Sequence, residues 1–114
     1  MTSPAKLLIV VVGETHVHGE IPLFEYLVRR LRQLEVAGAT AIPAELGFGH
    51  RESGQLGIPL GISTDRPVVV FAIDSAERIE RAVPEIRRLV VGGLVAVLDA
   101  ERVAPTGLRA STTE

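Results

Sequence analysis

Apolar positions along this chain follow two rhythms, one continuous and one helical. Residues 7–12 read Leu-Leu-Ile-Val-Val-Val and are closed by Gly13. An aliphatic run without polar alternation predicts a strand buried on both faces. Pro22 then stands at a first helical position, and Leu23, Phe24, Leu27, Val28, Leu31 and Leu34 recur at helical spacing. Arg29, Arg30, Arg32 and Gln33 fill the other side of that helix as a solvated face. Ala37 opens a second strand expected to run to about Phe48, and Pro43 within it predicts an edge position or a bulge. Residues 47–65 are rich in glycine, contain Pro59 and show no period. They predict a long loop that is functional or disordered, with residues 50–66 mobile in the absence of a partner.

The second half repeats the scheme. Pro67 to Ile73 is a third strand, again continuously apolar. Asp74 is expected to cap the next helix, with Glu77 three residues on in a variant of the capping box. Ile79, Val83, Ile86 and Val90 mark its buried stripe. Pro84 interrupts the helix and predicts a kink or an unpaired carbonyl. Gly92-Gly93 ends it, and residues 94–98 form a fourth strand. The alternating charges of Glu77, Arg78, Glu80, Arg81, Glu85, Arg87 and Arg88 read as a solvated surface, with Glu77 and Arg81 at a favourable spacing. Residues 104–114 predict a disordered polar tail. The chain, 1–114, is read as one domain with its core at about 6–103.

Strand–helix–strand–strand–helix–strand is the order of an α+β, ferredoxin-like βαββαβ sandwich. Its two helices pack on one face of a four-stranded antiparallel sheet, with the first and third strands central. Those are the strands that carry the unbroken apolar runs. Two helices cannot cover both faces. Burial of five or six aliphatic side chains on the bare face is worth on the order of 10 kcal/mol, which rivals the whole stability of an ordinary domain. The expected cover is further copies of the chain.

Composition narrows the function. At 114 residues the chain has room for one domain, and 46% hydrophobic residues suffice for a core. It has no cysteine, which removes disulfides and thiolate chemistry and points to the cytoplasm. A net charge of −2 and 4% aromatic residues leave neither the basic stripe nor the stacking platform of a nucleic-acid binder. Ser53, Ser63 and Ser75 lack the context of a nucleophile, and Glu14, Glu45 and Asp74 are scattered, so the expectation is a protein that is not an enzyme.

Two groups of residues could hold a ligand. In Gly47-Phe48-Gly49-His50-Arg51 the glycines let backbone N–H groups approach an anion, and Arg51 could pair with phosphate or carboxylate. Alternatively, both glycines only shape the strand exit and Phe48 is core. His16 and His18 alternate, and with Glu14 they have the chemistry of a His/carboxylate metal site. The alternative there is a polar loop beyond the first strand.

The segments Ala37-Gly38-Ala39-Thr40-Ala41, Gly47-Phe48-Gly49, Asp65-Arg66-Pro67-Val68-Val69-Val70, Ile73-Asp74 and Gly93-Leu94-Val95, with Glu14 after Gly13, together resemble the Domain of Unknown Function 190 family over residues 6–103. The resemblance implies a PII-like variant of the ferredoxin-like fold and a trimer. Members often occur beside small membrane fluoride exporters, which implies a link to ion homeostasis and a membrane transporter as partner. Gly47-Phe48-Gly49 matches the point at which the second strand of PII proteins enters an effector loop. In those proteins nucleotide binds between subunits near the base of that loop. A second glycine-rich loop there contacts the phosphates and falls here at Gly92 and Gly93, without a lysine, which implies a weak hold on a triphosphate. The leading expectation is a PII-like cytosolic sensor that binds a small anion or nucleotide at subunit clefts and presents residues 50–66 to a partner. The alternatives are a metal-binding ferredoxin-like trimer, using His16, His18 and Glu14, and a ligand-free accessory subunit of a transporter.

Overall fold

The computed structural model describes residues 1–45, 47 and 65–107. The first strand, β1 (Thr2–Gly13), is followed by a small ribbon of β2 (Val17–His18) and β3 (Ile21–Pro22). Next come α1 (Leu23–Gln33), β4 (Thr40–Pro43), β5 (Pro67–Asp74), α2 (Ala76–Leu89) and β6 (Leu94–Val103). The main sheet is antiparallel in the order β4-β5-β1-β6, so the strands with continuous apolar runs are central. This is the α+β, ferredoxin-like arrangement expected from the element order.

Register explains how one aliphatic run serves two surfaces. Leu8, Val10 and Val12 of β1 and Val68, Val70 and Ala72 of β5 are buried beneath the helices. They meet Leu23, Leu27 and Leu31 of α1 and Ile79, Ala82, Ile86 and Leu89 of α2 in a single core. The alternate residues point the other way. Leu7 pairs with Ile73 and Leu98, Ile9 with Phe71 and Ala96, and Val11 with Val69 and Leu94. Ile42 of β4 lies beside Val69. Among the described residues no helix covers this face, and Ile42, Ile73, Leu94 and Leu98 are 43–48% exposed. Only one face of the central strands is therefore buried within the monomer, although both are apolar.

Several local expectations change. β4 ends at Pro43 on the sheet edge, which satisfies the edge position expected for that proline. Its expected extension to Phe48 is not made as far as the described residues reach. Pro22 is the cap of α1 rather than its first helical residue, because it still pairs with Val17 in the ribbon. Gly19, at φ +66°, closes that two-residue turn with Glu20 and adopts a backbone that other residues rarely take.

The cap of α2 is Ser75, whose Oγ accepts the amide of Arg78 at 3.2 Å. Asp74 is not the cap because it is still the last residue of β5 and faces the helices with Ala72. The capping box with Glu77 is therefore absent. Helix α2 continues through Pro84; the ring nitrogen has no hydrogen to offer the Glu80 carbonyl. It stops at Leu89, before the two glycines, and β6 runs five residues beyond the expected end at Leu98. The disorder expected of the tail concerns mainly residues 108–114, which lie outside the described residues.

The helical surface carries its charges in pairs. Glu85 receives Arg88 at 2.7 and 3.1 Å and Arg30 of α1 at 3.1 Å, joining the two helices. Arg88 and then Arg30 hold the Glu85 carboxyl down at about 2. Glu77 and Arg81 stand 4.0 Å apart, one helical turn from each other. Among the described residues, no helix is long and apolar enough to cross a membrane.

Candidate functional site

The glycines picked out by the sequence gather at one end of the sheet, where β1 finishes and β5 and β6 begin. Gly13 is paired with Pro67. Gly47 packs on the Pro67 ring, where a Cβ would lie 3.1 Å from Cγ. Gly93 crosses β1 so closely that a Cβ there would run into the Val11 carbonyl oxygen. Gly92 adopts φ +76°. Each glycine thus has a packing or backbone reason to be glycine. Gly47 packs on the first residue of β5, and Gly93 precedes β6 and lies against β1, so both sit at this end of the sheet.

Two residues that sequence reasoning did not select as site residues complete this rim. The Asp65 carboxylate lies against Gly13, where any Cβ would overlap it, and its Oδ1 accepts the amide of Thr15 at 2.8 Å. The carbonyl of Arg66 accepts the Glu14 amide at 2.8 Å, and its Nε lies 3.5 Å from Glu14 Oε1. The returning end of the 47–65 segment is thereby fastened to the turn that follows β1. A sequence signal existed in Asp65-Arg66-Pro67, but its value depends on Pro67 falling opposite Gly13 in register. Phe48, Gly49, His50 and Arg51, together with the expected mobility of residues 50–64, lie outside the described residues.

The three metal candidates are not assembled as a ligand set. Glu14 is engaged with Arg66. His16 directly precedes β2, its amide bonded to the Gly13 carbonyl and its carbonyl accepting the Leu23 amide beside the Val17–Pro22 pair. His18 is in β2 and stacks on Tyr26 with ring centroids 4.0 Å apart and planes inclined by 25°. Among the described residues, no three His, Cys, Asp or Glu side chains are grouped to hold a metal ion.

Comparison with known proteins agrees with this architecture. The UPF0166 protein of Aquifex aeolicus (strain VF5) is 30% identical over 96 residues, covering 84% of this chain and 90% of that protein. Among solved structures, CPII from Thiomonas intermedia K12, a nitrogen regulatory PII-like protein bound to ADP, AMP and bicarbonate, matches with a TM-score of 0.65 at 18% identity. That match covers 92% of this chain and 99% of CPII. A Thermus thermophilus protein described as PII-like matches with a TM-score of 0.61 at 19% identity, over 90% of this chain and 92% of that one. The fold is therefore PII-like. The family model DUF190, “Uncharacterized ACR”, matches residues 5–102, and the chain belongs to that family.

Proposed function

We propose that this chain is a regulatory protein of the PII-like kind that acts as a cytoplasmic homotrimer and not as an enzyme. It binds a small anion or nucleotide between subunits and presents residues 50–66 to a partner protein. The observation that carries this reading is the uncovered apolar sheet face, with Gly47 and Gly92-Gly93 at the same end of the sheet. Copies that turn their bare faces to a common axis would bring the β4 border of one subunit toward the β6 border of the next. The two glycine segments would then flank one cleft, with Gly47, Phe48, Gly49, His50 and Arg51 on one wall and Gly92 and Gly93 on the other.

The bound ligands of CPII support adenine nucleotides and bicarbonate as the first compounds to test. The segment from Val91 to Leu94 contains no lysine, so a ligand with one compact negative group suits the available donors better than a triphosphate. Calorimetry with AMP, ADP, ATP and bicarbonate tests the reading. The expected outcome is binding of a mono- or diphosphate or of bicarbonate, weakened by Arg51→Ala by about 1.5–3 kcal/mol. If wild type binds none of the panel, or if R51A binds equally well, the sensor reading loses its site.

A further inference from the structure

We infer that Arg66 is a ligand-contacting residue of the proposed cleft and that it takes an oxyanion, phosphate or carboxylate in chemistry, through the open edge of its guanidinium. The inference rests on the functional reading above and adds a residue and a binding geometry to it. Arg66 precedes Pro67, the residue on which Gly47 packs, so its backbone is part of the rim itself.

That backbone is held by the turn that follows β1. Its carbonyl accepts the Glu14 amide, and the preceding Asp65 accepts the Thr15 amide while resting on Gly13. The side chain is half exposed, and it forms an ion pair from Nε to Glu14 at 3.5 Å. A guanidinium whose Nε faces Glu14 leaves both Nη groups for a two-pronged contact with a flat or tetrahedral oxyanion. Two arginines of the helical layer, Arg30 and Arg88, differ. Arg88 already gives Nε and Nη2 to Glu85, and Arg30 gives Nε to Glu85 and Nη1 to Gln33. Glu14 offsets the charge of Arg66 while the cleft is empty and orients it. Asp65 acts through backbone as a positioning residue.

The test is calorimetry of wild type, Arg66→Gln, Arg66→Lys and Asp65→Asn with AMP, bicarbonate and inorganic phosphate, with thermal melts alongside. R66Q is expected to weaken the bound anion about tenfold or more. R66K, which keeps the charge but loses the fork, should fall between R66Q and wild type. D65N should weaken binding less than R66Q and should speed hydrogen exchange at the Thr15 amide, a change that needs no ligand. Bicarbonate or phosphate binding without AMP would place a free anion at Arg66, whereas AMP binding alone would place a nucleotide phosphate there. Wild-type binding with R66Q unchanged overturns this inference and leaves the functional reading standing. Absence of binding in wild type overturns both. If R66Q does not fold, R66K decides, and affinity equal to wild type overturns the two-pronged contact.

Discussion

The carboxylate of Asp74 accepts the backbone amide of Ala37 at 2.8 Å, across 37 positions of sequence. It also accepts the Ser75 amide at 2.7 Å, and Arg102 and Arg78 lie 3.4 and 3.7 Å away. One side chain that is 3% exposed therefore joins the end of β5, the link from α1 to β4, the start of α2 and the far part of β6. Burial opposes its ionisation, but the Ala37 and Ser75 amides, followed by Arg78 and Arg102, prevail and hold its pKa below the usual aspartate value.

Replacement of Asp74 by alanine leaves the Ala37 amide without its acceptor and removes charged hydrogen bonds. A loss of about 3 kcal/mol is expected. Ser75→Ala removes one capping bond and should cost about 1 kcal/mol. Urea unfolding at neutral pH separates the two. A loss for D74A no larger than that for S75A would show that Asp74 is not the junction described.

Acid should weaken the fold through the same carboxylates. Asp74 and Glu85 both have folded pKa values below their ordinary ones. Their contributions are full above the unfolded values and are lost as pH falls through the folded ones. For Glu85 that window runs from 4.5 down to about 2. Urea midpoints measured between pH 6 and pH 2.5 should fall as pH is lowered, and less steeply for Glu85→Gln than for wild type. Parallel slopes would remove Glu85 from this account.

Neighbouring residues of β1 should respond in different ways. Ile9 lies on the uncovered face opposite Phe71, whereas Val10 is fully buried beneath the helices. Ile9→Glu is expected to dissociate the proposed trimer, since an unpaired charge does not enter an apolar contact. Val10→Ala should leave assembly intact and cost about 2 kcal/mol of stability. Light scattering and urea unfolding on both variants check this. An I9E protein that keeps the wild-type mass would exclude the bare face as the subunit contact.

Gly93→Ala places a methyl group against the Val11 carbonyl and within 3.1 Å of Val90 Cγ1. Backbone on one side leaves little room to yield, and a loss of about 1–3 kcal/mol is expected. Gly38→Ala, which meets nothing within 4 Å, is the control. Thermal melts compare them, and equal stability would show that the crossing at Gly93 is looser than described.

Local periodicity carried the element order, because each helix or strand must present an apolar side to a core. It also carried the need for a partner surface: an aliphatic run such as residues 7–12 is apolar on both sides, and only two helices are available to cover it. Asp74 shows where such reading stops. Its sequence context suits a cap, yet one more residue of strand turns it toward the helices and leaves the cap to Ser75. The alternation of His16 and His18 likewise does not show that His18 stacks on Tyr26 of α1, a contact made by the packing of the ribbon on that helix.

The amino-acid sequence by itself determined which faces are apolar, where the chain turns and that the sheet would have an uncovered side. Only the tertiary structure decided which distant residues meet: Asp74 with Ala37, Asp65 with Gly13, Arg66 with Glu14. The physical reason is that periodicity is a property of neighbours along the chain. Contact between β1 and β5 depends on strand register, and a shift of one residue would turn every side chain to the opposite face.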